Sequence, residues 1–402
     1  MAETRSEARD DLTIQDPRVS DRVQKFPESV IREMTRIAAL HDAVNLAQGF
    51  PDFDPPRAMV DAAKRALDAG YNQYSITWGA RELRDAIARR AKAFNGIDAD
   101  PDANLVVTCG STEAMMAAML SLINPGDEAV IFEPFYENYG PDAIVSGASP
   151  RYVRMAWPDW SIDEEALKAA FTDRTKAVIL NTPNNPTGKV FTREELRLVA
   201  DLCEDHDVVA VTDEIYEHIV FDGARHVSLA TLGDMADRTI TINGLSKTYS
   251  ATGWRVGWAI APKTLANAMR RTHDFLTVGA PHPLQIAAAA ALDLPESYYR
   301  ELARMYQAKR DGFVRGLQEA GLDCRPPRGA YYVMTDFSRF PFPDDWSFAM
   351  HLVERCGVAV VPGSSFYGDP GDGRRYVRFM FSKKDDTLAE AVRRLRGLRD
   401  GR

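Results

Sequence analysis

Lys247 stands in the run Asn243-Gly244-Leu245-Ser246-Lys247-Thr248-Tyr249-Ser250-Ala251-Thr252-Gly253-Trp254-Arg255-Val256-Gly257. An apolar stretch, Thr239 to Ile242, leads into it, and Arg255 follows eight residues after the lysine. Its neighbours are small, apolar or aromatic, which argues against an ordinary surface lysine. An amine presented at the end of a buried strand suits condensation with an aldehyde cofactor, and once displaced the same amine shuttles a proton. Arg255, a permanent cation, suits the phosphate of such a cofactor.

Other residues extend that chemistry. Asp213 ends the apolar run Val208 to Thr212, where a carboxylate either caps the following segment or pairs with a pyridinium nitrogen. Three residues on, Tyr216 offers a hydroxyl to a ring oxygen, or packs as an aromatic. Asn185, in Pro183-Asn184-Asn185-Pro186-Thr187-Gly188, lies in a turn that also presents an amide to that oxygen. Gly110-Ser111-Thr112 opens a helix and offers N–H groups and hydroxyls to an anion, with Ser246 and Arg255 completing the cup. Tyr136 stacks on a ring or packs in the core. Arg378 alternates with apolar neighbours in Tyr376-Val377-Arg378-Phe379-Met380-Phe381. Its planar fork suits a carboxylate; the alternative is an exposed strand face.

These residues need a scaffold. Short apolar runs at 105–108, 128–132, 176–180, 208–212 and 239–242 alternate with helical stretches such as Ala114 to Leu122 and Thr192 to His206. That pattern predicts an α/β fold with a mostly parallel sheet covered on both faces, whose ligands bind beyond the carboxyl ends of the strands. Gly110 to Thr112, Asn181 to Gly188, Asp213 to Tyr216 and Lys247 all fall at such ends. From about Pro295 the pattern changes to a long helix (Glu296 to Gly321), strands at 330–334, 358–361 and 376–381, and helices at 347–356 and from Thr387. This predicts a smaller α+β domain over 296–402, a large domain over 51–295, and an N-terminal segment, 1–50, packing on the small domain.

The 402 residues exceed one ordinary core. Hydrophobic residues make up 45% and charged ones 27%, the usual globular balance. A net charge of −9 argues against nucleic acid or an anionic membrane as partner. No run of about 18 apolar residues predicts a membrane span. The polar stretch Met1 to Ser20 reads as a loosely ordered leader rather than a secretory signal. Cys109, Cys203, Cys324 and Cys356 have no metal-binding spacing, which predicts reduced thiols, no metal site and a cytoplasmic location.

Taken in order along the chain, these pieces resemble the class I/II aminotransferases, fold-type I pyridoxal phosphate enzymes with a seven-stranded type of large sheet. The resemblance runs from Asn45-Leu46-Ala47-Gln48-Gly49-Phe50-Pro51 to Val377-Arg378-Phe379. It implies that Lys247 carries pyridoxal 5'-phosphate as an imine and that Asp213 pairs with the pyridine nitrogen. Asn185 and Tyr216 would then meet the ring hydroxyl, and Tyr136 would stack on the ring. Ser111, Thr112, Ser246 and Arg255 would hold the phosphate, with Tyr74 reaching it from a neighbouring subunit of a homodimer. Gly49, Asn185 and Arg378 would meet the substrate. The runs Asn72 to Gly79 and His273 to Pro281 are similar to the branch acting on aromatic amino acids, kynurenine, glutamine or methionine, with a 2-oxo acid as acceptor. Between Pro281 and Pro283, His282 is less usual there, an inert loop residue or a pocket residue. No second arginine for a dicarboxylate is recognisable. Elimination, replacement or cyclisation on the same scaffold stays open as an alternative reaction. A cofactor-sensing regulator would need a DNA-binding segment that the leader is too short to hold.

Overall fold

Runs of β-branched and apolar residues uninterrupted by charge form strands buried on both faces, and they build the centre of this molecule. The computed structural model describes residues 16–400; residues 1–15, which hold most of the expected leader, lie outside the described residues. The strands are β1 (Val44–Asn45), β2 (Leu105–Thr108), β3 (Glu128–Glu133), β4 (Ser149–Ala156), β5 (Ser161–Ile162), β6 (Thr175–Asn181), β7 (Val209–Asp213), β8 (Thr239–Gly244), β9 (Gly257–Ile260), β10 (Asp323–Cys324), β11 (Tyr332–Asp336), β12 (Val358–Ala359), β13 (Val361–Pro362) and β14 (Tyr376–Met380).

The large sheet has the order β2-β9-β8-β7-β6-β3-β4-β5. Pairs β3–β4, β3–β6, β6–β7 and β7–β8 are parallel. Seven of its strands match the expected type; the eighth, β5, is a two-residue strand folded back antiparallel on β4. Along β6, Val178 and Leu180 enter one apolar cluster while Ala177 and Ile179 enter another, so both faces are covered.

One strand matters most for the site. β9 runs antiparallel to both neighbours, with Gly257 opposite Thr108 of β2 and Gly244 of β8. Its beginning therefore lies at the same edge as the carboxyl ends of β2 and β8. Arg255, two residues earlier, is delivered to the edge that also presents Lys247.

The first helix beyond β2 spans Ser111–Leu122 and starts three residues earlier than its apolar run suggested, because Gly110 (φ 85°) turns the chain sharply into it. Thr192 and Glu195 form a capping box at the start of helix Arg193–Asp205. Helix Glu296–Glu319 leads to an antiparallel four-stranded sheet, β10-β11-β14-β13. The stretch 358–361, expected as one strand, divides: β12 pairs with β1 and β13 with β14. Val44 and Asn45 thus join Val358 and Ala359. One apolar cluster runs from Val130 and Leu180 of the large sheet to Tyr332 and Phe379 of the smaller one. No helix among the described residues is long and apolar enough to cross a membrane.

Candidate active site

Asp213, last in β7, is buried. Its Oδ1 accepts from the Ile215 N–H at 3.2 Å, the local bond expected of a turn residue. Its Oδ2 accepts from the Tyr139 hydroxyl at 2.8 Å. Burial pushes the carboxyl above its ordinary range; Tyr139, the Ile215 N–H and the Lys247 charge offset this only in part. A carboxylate so placed is improved by a cation. Asn181, at the end of β6, donates through Nδ2 to the Asp213 carbonyl at 2.8 Å and accepts the Asn185 N–H at 2.6 Å. It therefore ties two strand ends together.

Lys247 lies just beyond β8, half-buried. Its Nζ donates to the Gly49 carbonyl at 3.1 Å, and the Tyr331 hydroxyl donates to the same oxygen at 3.0 Å. The rings of Tyr216 and Tyr331 lie 5.9 and 5.8 Å from Nζ. The Tyr216 and Tyr332 hydroxyls share a hydrogen bond of 3.0 Å. Burial first, then the neighbouring tyrosines, push the Tyr216 hydroxyl well above its ordinary range, so it stays protonated.

Arg378, in the middle of β14, is only 1% exposed, which removes the exposed-face alternative. Its Nη1 donates to Asn185 Oδ1 at 2.8 Å and its Nη2 to the Ala47 carbonyl. The guanidinium lies 4.3 Å from the Tyr332 ring and 4.9 Å from the Phe366 ring. Its Nε has no protein partner.

At the other end, Arg255 adopts a left-handed conformation (φ 54°) and donates to the Thr252 carbonyl at 2.9 Å and the Cys109 carbonyl at 3.5 Å. A Cβ on Gly110 would lie 2.3 Å from Arg255 Nη2, and one on Gly257 would lie 2.4 Å from the Ser111 nitrogen. Ser111 is half-buried, Thr112 exposed and Ser246 buried. Tyr136 meets the Tyr139 ring edge-on at 5.7 Å. Tyr74 is not brought to this cluster; it is 83% exposed on the surface. His282 starts helix His282–Leu292, with Nδ1 3.0 Å from the Gln73 carbonyl, so it holds the Tyr74 loop rather than lining the lysine's surroundings.

Tyr139, Asn181, Tyr331 and Tyr332 were not singled out in the sequence. Tyr139 lies three residues after Tyr136, a spacing that brings side chains together where a helix begins. Asn181 opens the asparagine-rich turn. Nothing local marks Tyr331 and Tyr332, which read as strand aromatics. All four cysteines are free thiols.

The residues fit pyridoxal phosphate. A buried carboxyl held above its range suits a cationic ring nitrogen, and an amine lies across from it. Two glycines lie where a side chain would strike Arg255 or Ser111, leaving N–H groups and a guanidinium open to an anion.

Comparison with known proteins gives the same answer. The profile of the family described as Aminotransferase class I and II matches residues 41–395. A probable N-succinyldiaminopimelate aminotransferase of Mycobacterium tuberculosis is 40% identical, over 93% of this chain and 97% of that protein. Human kynurenine–oxoglutarate transaminase 1 is 38% identical, over 90% and 94%. The crystal structure of YbdL from Escherichia coli, reported with a methionine aminotransferase function, superposes with a TM-score of 0.90 at 34% identity, covering 94% of this chain and 99% of that one. The chain belongs to the class I and II aminotransferases and is a pyridoxal phosphate-dependent enzyme of that family.

Proposed function

We propose that this aminotransferase moves the amino group of an L-amino acid with a large uncharged side chain, such as an aromatic residue, glutamine, methionine or kynurenine, to a 2-oxo acid in two half-reactions. Arg378 carries the reading. The buried arginines among the described residues are Arg84, Arg90, Arg310 and Arg378. The first three pair with Asp102, Glu296 and Asp222, whereas Arg378 has no such ion pair. The Glu137 carboxyl feels the Arg378 charge but makes no ion pair with it, its oxygens being held by the Ser29 hydroxyl and the Ile31 N–H; the α-carboxylate of an amino acid supplies a direct partner. Among the described residues no second buried arginine is left unpaired for a side-chain carboxylate, while Tyr331, Tyr332 and Phe366 surround the cluster. Relatives named for kynurenine and methionine support a neutral substrate.

When bound, pyridoxal phosphate supplies an electron-withdrawing ring that stabilises negative charge at the substrate α-carbon. In this reading Lys247 Nζ takes the α-proton and returns it, and the Gly49 carbonyl orients the free amine. Asp213, supported by Tyr139, would hold positive charge at the ring nitrogen. Asn185 and Tyr216 would meet the ring oxygen, and Tyr136 would pack against the ring. Ser111, Thr112, Ser246 and Arg255 would hold the phosphate. Gly49, Asn185 and Arg378 hold the substrate carboxylate.

The reading includes a homodimer in which Tyr74 reaches the phosphate of the partner's site. Exposed Tyr74, Ile76, Phe275, Leu276 and Val278 support it, being a set of apolar side chains a monomer has little reason to expose. It also keeps 51–295 as a cofactor-binding domain and 296–402 as a small domain packed with the N-terminal segment. The four free cysteines support a reducing, cytoplasmic location. A screen of amino donors against several 2-oxo acids, read by mass spectrometry, tests the substrate class. Neutral donors should give the highest kcat/KM. A preference for aspartate or for N-succinyldiaminopimelate would overturn it.

A further inference from the structure

Behind the phosphate end lies a buried ion pair that the reaction itself does not use. His273, in the last turn of helix Lys263–Leu276, has no exposed surface. Its Nδ1 is 2.6 Å from Glu113 Oε1 and its Nε2 is 3.0 Å from the Thr77 carbonyl. With a carboxylate oxygen at one ring nitrogen and a carbonyl oxygen at the other, both nitrogens are placed to donate, the hydrogen-bond pattern of an imidazolium. Glu113 accepts further bonds from the Thr277 hydroxyl at 2.8 Å and from the Cys109 N–H. Burial pushes its carboxyl up, but His273, the Cys109 N–H and Thr277 outweigh this and hold it below the ordinary range. It is therefore ionised.

The placement has an electrostatic consequence. Glu113 is in the first turn of the helix that Gly110 opens, and it grips the residue just before Gly110. A bare carboxylate there would repel an anion at the helix start and cancel much of the helix dipole. The imidazolium neutralises it, so Arg255 and the N–H groups keep their net positive field. His273 also binds the Thr77 carbonyl, and Gln285 holds the same segment through Ser75 Oγ at 3.0 Å and the Ala80 N–H at 2.7 Å. The pair thus links the Tyr74 loop to the Cys109–Ser111 turn.

We propose that His273 and Glu113 are positioning residues for the cofactor phosphate: the imidazolium cancels the Glu113 charge and locks the anion-binding turn. This rests on the assignment of the phosphate to Ser111, Thr112, Ser246 and Arg255. The test measures dissociation constants of the apoenzyme for pyridoxal phosphate and for pyridoxal, which lacks the phosphate, by absorbance titration. His273→Gln, which exposes the carboxylate, weakens pyridoxal phosphate by about tenfold or more, the worth of one charge-assisted bond, and pyridoxal by less than about twofold. Adding Glu113→Gln to His273→Gln removes the bare charge and recovers part of the lost phosphate affinity. Equal weakening of both ligands, or no recovery in the double variant, overturns the proposal. If His273→Gln does not fold, the single Glu113→Gln variant, which removes the charge that His273 cancels, should keep its preference for pyridoxal phosphate over pyridoxal within about twofold of the native chain, and a phosphate-selective loss of about tenfold overturns the proposal. Arg255→Ala separates the two layers: if it leaves the preference for pyridoxal phosphate over pyridoxal unchanged, the phosphate assignment itself fails.

Discussion

At the residue scale, each assigned role predicts a separable loss. Lys247→Ala removes the amine proposed to take the α-proton. Turnover should fall by at least about 10²–10⁴-fold, and the visible band of the lysine–cofactor imine should vanish. Turnover retained with added cofactor would contradict the role. Arg378→Ala should chiefly raise KM for the amino donor, by about tenfold or more, and an unchanged KM would count against the carboxylate contact. Asp213 gives a pH dependence with a fixed sign. Only its ionised form pairs with a cationic ring nitrogen, and burial raises its carboxyl in the apoenzyme. Cofactor affinity should therefore drop as pH falls through that raised value. Tyr139→Phe removes a hydrogen bond that lowers it. In that variant the drop should begin at higher pH, with kcat/KM reduced about fivefold, as expected for one hydrogen bond of about 1 kcal/mol. Titrations of the apoenzyme across pH read the shift directly; a shift towards lower pH is incompatible with this account.

At the element scale, the site depends on how strands end and helices begin. Gly110 turns β2 into its helix at φ 85° and leaves room for Arg255. Gly110→Ala must absorb both a strained backbone and a displaced guanidinium, at about 1–3 kcal/mol. The cofactor should dissociate more readily, as followed by gel filtration and absorbance of the released ligand. Thr192→Ala is the contrasting case. It removes a capping box away from the lysine and should cost about 0.5–2 kcal/mol of stability in a denaturant melt without altering KM. The helix from Thr192 to His206 was visible in the chain; its capping box, Thr192 with Glu195, was not singled out there. The antiparallel course of β9 was not visible, because an apolar tetrapeptide carries no direction. For the same reason 358–361 looked like one strand and proved to serve two sheets.

For the whole molecule, the shared-site reading makes two claims. Sedimentation should give twice the 44.8 kDa of one chain. Tyr74→Ala and Lys247→Ala proteins, each weakly active or inactive alone, should regain activity when their subunits are exchanged. A mixed dimer has one site with both lesions and one intact site. Failure to complement after proven exchange would place Tyr74 outside the partner's site. Phe275, 92% exposed and next in the chain to Asp274, which accepts from the Thr77 hydroxyl, offers a second probe. Phe275→Glu should shift the assembly towards monomers.

The sequence alone determined the type of chemistry. An amine in a small-residue loop, a carboxylate ending an apolar strand, an asparagine turn and a conspicuous Gly-Trp-Arg are local patterns, and strand periodicity implied that their ends would meet. Tertiary structure decided the contacts that depend on distant segments. The Gly49 carbonyl meets Lys247, Asn185 meets Arg378, and His273 meets Glu113 across separations of 198, 193 and 160 residues. Such pairs are set by the register of strands and the packing of helices. Those follow from burying apolar surface throughout the chain, and no short window of sequence records them.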